Sequence, residues 1–167
     1  GTHVDCPAHV IAGGFTVDDA DLTRFFGRGL AVDCSAFADG RRIPAEAFKS
    51  YDLTQVQFVL VYCGWDKHPG TAKLFADYPV LSKDAAEYLA NMENIRGIGV
   101  EYSSIDPIDC ESLTLHRIML GKDKCIVENL CNIDKLLGKD FVFAALPLKI
   151  GGGEGAPARA AAILAWE

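Results

Sequence analysis

One segment, QVQFVLVYC at residues 55–63, limits the folds open to this chain more than any other. It begins with alternating polar and apolar residues and then becomes continuously apolar, which is typical of a β-strand that enters the buried interior of a sheet. Gly64 and Trp65 follow directly and end the run. The segment therefore predicts a buried strand.

Helical and strand patterns alternate along the rest of the chain. A helix is predicted at residues 82–92, where Ser82 can cap the first turn and Leu89 lies on an apolar face. A strand at 95–101 follows it directly. Shorter helices are predicted at 18–26 and 44–50, further strands at 30–34, 125–130 and 141–150, a glycine-rich loop at 151–157, and either a helix or a strand at 158–166. This alternation predicts the α/β class.

Charge and composition narrow the possible partners. The 167 residues include 16 Lys or Arg and 23 Asp or Glu, a net charge of −7, which disfavours binding to nucleic acid or to an anionic membrane surface. There is no apolar run of the ~20 residues that a transmembrane helix needs and no signal-peptide pattern, so we expect a cytoplasmic protein.

Neither a repeat nor a linker divides the chain, which predicts one domain over residues 1–167. The six scattered cysteines are interpreted as reduced packing residues.

The first nine residues hold the densest group of metal-binding side chains, His3, Asp5 and His9. In an extended segment, residues 3 and 5 project to the same side, so an imidazole and a carboxylate can converge on one ion. On a helix the two side chains would diverge. A polar N-terminal tail without function is the alternative for this group.

His116 and Glu128 form a second candidate group. Glu128 lies within the apolar run CIVENL, where a buried carboxylate is costly unless a cation or hydrogen bonds compensate its charge. His116 lies in a segment that can form a helix. The alternatives are a strand-end glutamate paired with an arginine and a histidine without a ligand role.

Taken together, these residues match the pattern of a known family. The segment GTHVDCPAH resembles the H-x-G-T-H-x-D-x-P-x-H signature of metal-dependent cyclases, a family that includes bacterial kynurenine formamidases and isatin hydrolases. The resemblance continues in order at residues 64–65, 81–82, 97–99, 104–106, 116, 128–130, 146–148 and 153–159. It implies an α/β fold of the swivelling β/β/α type, with a central mixed or barrel-like sheet flanked by helices.

The resemblance also implies a site and a reaction. His3, Asp5, His116 and Glu128 would ligate Zn²⁺, or alternatively Mn²⁺, as one ion or as a pair that Asp5 bridges. The implied reaction is hydrolysis of an amide, formamide or lactam C–N bond by a metal-activated hydroxide. His9 and Glu128 would be catalytic, with His9 moving a proton to the leaving nitrogen. A small-molecule amide or cyclic amide as substrate and a homodimer or homotetramer are implied as well.

Trp65 and Phe75 are candidates for an aromatic wall against a planar substrate, with core packing as the alternative for each. Glu101 and Ala156 stand where the family often has aspartate and serine, which bears on substrate preference. The first histidine of the signature would stand two residues before Gly1, so we expect a chain that lacks the family's N-terminal strands.

Two other functions stay open at this point. A non-catalytic scaffold or fragment with an incomplete metal site would share the same residues. A cysteine-dependent enzyme using Cys6 beside His9 would lose activity on alkylation instead of chelation.

Overall fold

The computed structural model describes residues 1–68 and 70–164, and its central feature is a closed barrel of mixed strands. Strands β2 to β5 run parallel, whereas β1 and β6 are antiparallel to both of their neighbours. The order around the barrel is β1-β5-β4-β3-β2-β6-β7. The strands are β1 His3–Asp5, β2 Phe26–Asp33, β3 Phe58–Tyr62, β4 Gly97–Val100, β5 Cys125–Glu128, β6 Phe141–Pro147 and β7 Gly155–Leu164. This sheet confirms the predicted α/β, barrel-like architecture.

Within the described residues, three α-helices accompany the barrel, α1 Glu46–Lys49, α2 Lys83–Ala90 and α3 Thr114–Leu120, together with several short 3-10 helices. The predicted strand at 55–63 is confirmed as β3. Its side chains alternate between two apolar clusters, with Phe58 and Leu60 in the cluster inside the barrel. Val59 and Val61 belong instead to the cluster that packs against the helices. The buried strand is therefore covered on both faces, as its continuous apolar pattern predicts.

Helix α2 confirms the prediction at 82–92, although it ends at Ala90. The hydroxyl of Ser82 accepts the N–H of Ala85 at 3.3 Å, which satisfies one of the free donors of the first turn. Ala85, Ala86 and Leu89 form the buried face. The helix at 44–50 is confirmed in a shorter form as α1.

The helix predicted at 18–26 is wrong for most of its length. Only a 3-10 helix at Leu22–Phe25 forms there, and β2 begins at Phe26, before the predicted strand at 30–34. Gly27 and Gly29, which suggest a helix end, lie inside β2. A Cβ atom on Gly29 would lie 2.1 Å from the Phe141 ring, so glycine is required there for β6 to approach.

At the other end of the chain, β7 begins at Gly155 and the predicted loop at 151–157 is correspondingly shorter. The undecided segment at 158–166 is a strand up to Leu164, while residues 165 and 166 lie outside the described residues. β7 forms an antiparallel pair with β6, with Phe141 opposite Leu164. Pro147 ends β6, the position in which a residue without an N–H is tolerated.

Burial of the cysteines follows their apolar surroundings in most cases. Cys6, Cys34, Cys63 and Cys125 are buried, Cys110 is partly buried, and Cys131 is exposed. All of them are free thiols. Of the helices in the described part of the chain, none has the length and apolar character needed to cross a membrane.

Candidate metal centre

Strand pairing brings the N-terminal and C-terminal candidates together. In the antiparallel pair of β1 and β5, His3 lies directly opposite Glu128. Val4 and Val127 point into the barrel, so His3, Asp5 and Glu128 project from the opposite face of the sheet. Their positions follow from the two-residue repeat of a strand.

Helix α3 supplies His116 to the same place. Leu115, Met119 and Leu120 are buried with it, so the inner face of a short apolar helix carries one imidazole towards the sheet. Its Nε2 lies 3.9 Å from Oδ2 of Asp5 and 3.4 Å from Oε1 of Glu128. The predicted placement of His116 on a helix and Glu128 in a buried strand is thus observed.

His3 completes a compact cluster of four side chains. Its Nε2 lies 3.6 Å from Oδ2 of Asp5 and 3.4 Å from Oε2 of Glu128. Glu128 therefore turns one oxygen to each histidine, and Asp5 lies within reach of both. Asp5, Glu128 and His116 are 6%, 3% and 3% exposed, whereas His3 is partly exposed. Among the described residues, no arginine takes part in the contacts of Glu128.

His3, Asp5 and Glu128 fit a divalent metal ion by spacing and by chemistry, and Asp5 forms a second group of potential ligands with His9 and His116. Two ligand atoms that are each about 2.05 Å from one tetrahedral zinc ion lie about 3.3 Å apart, close to the observed 3.4–3.6 Å spacings at His3. Such distances are long for direct hydrogen bonds. Two imidazoles and two carboxylates also suit zinc or manganese.

The titration behaviour reflects two buried carboxylates facing two imidazoles. The contact with Glu128 raises the pKa of His3 to about 9. Burial works against the charged form of His116, but the hydrogen bond with Asp106 and the nearby Glu128 carboxylate outweigh it and raise its pKa to about 9. Burial, reinforced by the charge of Glu128, raises the pKa of Asp5. In the absence of metal, protons on both imidazoles balance the carboxylate charge.

His9 lies beside this cluster without belonging to its closest group. One of its ring nitrogens, one oxygen of Asp5 and one ring nitrogen of His116 all lie within 4.8 Å of one another. Its Nδ1 is 3.1 Å from Oε1 of Glu154, in the glycine-rich loop before β7. A second ion that shares Asp5 would be within reach of His9. The position of His9 beside the cluster would also allow this side chain to exchange protons with groups bound there.

Trp65 and Phe75 lie in different environments. Trp65 is 2% exposed and packs in the cluster between the sheet and the helices, with the Lys73 ammonium 5.3 Å from its ring centre. Phe75 is 55% exposed. Trp65 is therefore a packing residue of the core, which is the alternative to a role in a substrate wall.

Three carboxylates near these elements have contacts that the sequence pattern does not assign. Asp106 contacts Nδ1 of His116 at 2.7 Å, and Glu154 contacts His9. Glu101 accepts the N–H groups of Cys63 and Trp65 through Oε2, whereas Oε1 has no hydrogen-bond partner among the described residues. The signal for Asp106 is the absence of a side-chain cap at Leu113, directly before α3.

Comparisons with known proteins identify the family of this chain. The model of the Cyclase family, described as "Putative cyclase", matches residues 1–107, which include His3, Asp5 and His9. A kynurenine formamidase of Bacillus cytotoxicus is 30% identical over 161 residues, which cover 96% of this chain and 73% of that protein.

Solved structures show the same fold. Isatin hydrolase A from Ralstonia solanacearum superposes with a TM-score of 0.85 at 26% identity, covering 99% of this chain and 72% of that one. A protein described as a "Potential Metal-Dependent Hydrolase With Cyclase Activity" has a TM-score of 0.80 at 28% identity, covering 96% and 76%. By sequence and fold, this chain belongs to the Cyclase family.

Proposed function

We propose that this protein is a metal-dependent hydrolase that cleaves the C–N bond of an aryl formamide or an aryl lactam. The observation that carries the proposal is the cluster of His3, Asp5, His116 and Glu128, whose facing nitrogen and oxygen atoms lie 3.4–3.9 Å apart. Relatives named kynurenine formamidase and isatin hydrolase act on these two kinds of amide bond.

The four residues of the cluster hold the metal in this proposal. Zinc is the first candidate and manganese the second, as one ion or as two ions sharing Asp5. When bound, such an ion supplies a Lewis acid that polarises a carbonyl group and makes water a stronger acid. The cost of burying Asp5 and Glu128 as anions is thereby offset by a positive charge.

Protein side chains move the proton. Glu128 takes up a proton from the attacking water through an oxygen turned towards the cluster. His9 lies at the partly exposed side and returns a proton to the nitrogen that leaves the carbonyl carbon. The contact between Glu154 and Nδ1 of His9 leaves Nε2 as the ring nitrogen available for that transfer.

Other features of the protein stay predictions from its sequence. We propose a homodimer or homotetramer in the cytoplasm, and a substrate wall to which Phe75 contributes its exposed ring. Cys6 is a weak candidate for a nucleophile, because its side chain is fully buried inside the barrel.

The test is turnover of N-formylkynurenine and of isatin by the purified chain supplied with zinc or manganese. We expect hydrolysis of at least one substrate, and loss of turnover to the uncatalysed rate in Asp5→Asn and Glu128→Gln. Asp140→Asn is the matched control, since this carboxylate is exposed and pairs with Arg28 away from the cluster. Metal-loaded protein that hydrolyses neither substrate, or Asp5→Asn that retains full turnover, would overturn the proposal.

A further inference from the structure

Asp106 joins the start of α3 to the ring of His116. Its Oδ1 accepts the N–H of Leu115 at 2.8 Å, and its Oδ2 accepts the N–H of His116 at 3.0 Å. The same Oδ2 lies 2.7 Å from Nδ1 of His116. Asp106 is 1% exposed, and the residue before α3, Leu113, provides no side-chain cap. The carboxylate therefore supplies acceptors that the helix start lacks in its own sequence.

The contact with Nδ1 determines where the imidazole carries its proton. An ionised carboxylate only accepts hydrogen bonds, so a 2.7 Å contact requires the proton on Nδ1 of His116. Nε2 is then the nitrogen with a free lone pair once the ring is neutral. This nitrogen faces Asp5 at 3.9 Å and Glu128 at 3.4 Å.

We propose that Asp106 is a positioning residue that holds His116 in the tautomer and orientation in which Nε2 binds the metal. The inference rests on the proposed function, because it takes the His116 cluster to be a metal site. Hydrogen bonding of the second ring nitrogen to a carboxylate is a general way to orient metal-binding histidines. Here the two backbone hydrogen bonds fix the carboxylate itself, so the ring is held against a rigid acceptor.

Replacement by asparagine separates this role from simple capping. The Asp106→Asn side chain has nearly the same shape, but an NH₂ group takes the place of one oxygen and can only donate. If it faces His116, Nδ1 must accept, and the proton moves to Nε2 where it competes with metal. We expect zinc affinity to fall about 10- to 100-fold, the usual effect of losing such a partner.

The experiment measures zinc affinity by competition with a chromophoric chelator, and the protonation of His116 by ¹⁵N–¹H NMR of the zinc-saturated protein. In the native chain we expect a proton on Nδ1 and none on Nε2. Glu101→Gln is the matched control, because Glu101 is an equally buried carboxylate with two backbone hydrogen bonds and none to His116 in the described structure. Its zinc affinity and His116 spectrum should equal those of the native chain.

The outcomes separate this inference from the proposed function. Unchanged zinc affinity in Asp106→Asn, or a native spectrum with the proton on Nε2, overturns the role of Asp106. The native spectrum decides the matter even if the variant does not fold. A native chain that binds no zinc overturns the metal site of the proposed function, and with it this inference.

Discussion

Glu101 provides a prediction that depends on the fold and not on any metal. The side chain is 1% exposed, and burial raises its pKa from 4.5 to about 7 despite hydrogen bonds from the backbone of Cys63 and Trp65. The folded protein therefore holds a proton on Glu101 between pH 4.5 and about 7, where the unfolded chain has lost it. For an acid with a raised pKa, stability falls as the pH increases through this window.

The size of the effect follows from the pKa values. A tenfold change in an equilibrium constant corresponds to about 1.4 kcal/mol, so a rise in pKa from 4.5 to about 7 corresponds to about 3 kcal/mol. Glu101→Gln keeps a carbonyl oxygen for the two N–H groups and carries no charge. The unfolding free energy of the variant minus that of the native chain should therefore increase by about 3 kcal/mol from pH 4.5 to pH 8.

Urea denaturation of both proteins with chelator present, at several pH values across this range, measures that difference. Because the other titrating groups are common to both proteins, their contributions cancel in the comparison. Asp140→Asn controls for removal of an exposed carboxylate. A difference in unfolding free energy that stays constant across the range would refute the assignment of a buried, proton-holding Glu101.

Three further substitutions test the packing and the chemistry. Gly29→Ala places a Cβ 2.1 Å from the Phe141 ring and should lower the unfolding free energy by about 1–3 kcal/mol in urea denaturation; an unchanged midpoint contradicts the close approach of β2 and β6. Lys124→Met removes the ammonium that donates to the carbonyls of Met92 and Ile95, and should cost about 2–4 kcal/mol in the same assay, whereas no loss contradicts their burial. Cys6→Ala should retain hydrolysis of the substrate while a chelator abolishes it, since the reverse pattern is that of a cysteine nucleophile.

The sequence predicts those helices and strands whose spacing of apolar residues matches the faces that the fold buries. β3 is continuously apolar because both of its faces are covered. Helix α2 begins directly after Ser82 because the hydroxyl of Ser82 caps the first turn. The extent of β2 could not be predicted in this way. Gly27 and Gly29 lie in β2 because Gln57 and Phe141 pack too close to them for a Cβ atom. Both neighbours are distant in sequence, so no local pattern reveals these contacts.

Some residues of the candidate site can likewise be identified from the sequence, and others cannot. His3 and Asp5 share a side because of strand geometry, and the charge of Glu128 stands out in an apolar run, so both can be identified from residue types. Asp106 is harder to identify, because its partner His116 becomes a neighbour only when α3 packs onto the sheet, and the local sign is limited to the missing side-chain cap at Leu113. Trp65 is buried for a similar reason, since the exposure of an aromatic side chain depends on layers that other segments provide.

The most direct test of the metal centre is elemental analysis of the purified chain after equilibration with zinc and removal of free metal by desalting. We predict that about one or two zinc ions stay bound per chain and that Asp5→Ala, which removes the carboxylate within reach of both His3 and His116, retains almost none. Circular dichroism of Asp5→Ala would verify that it is folded. A native chain that retains no zinc, or a folded Asp5→Ala that retains as much as the native chain, would contradict the assignment of this cluster as a metal centre.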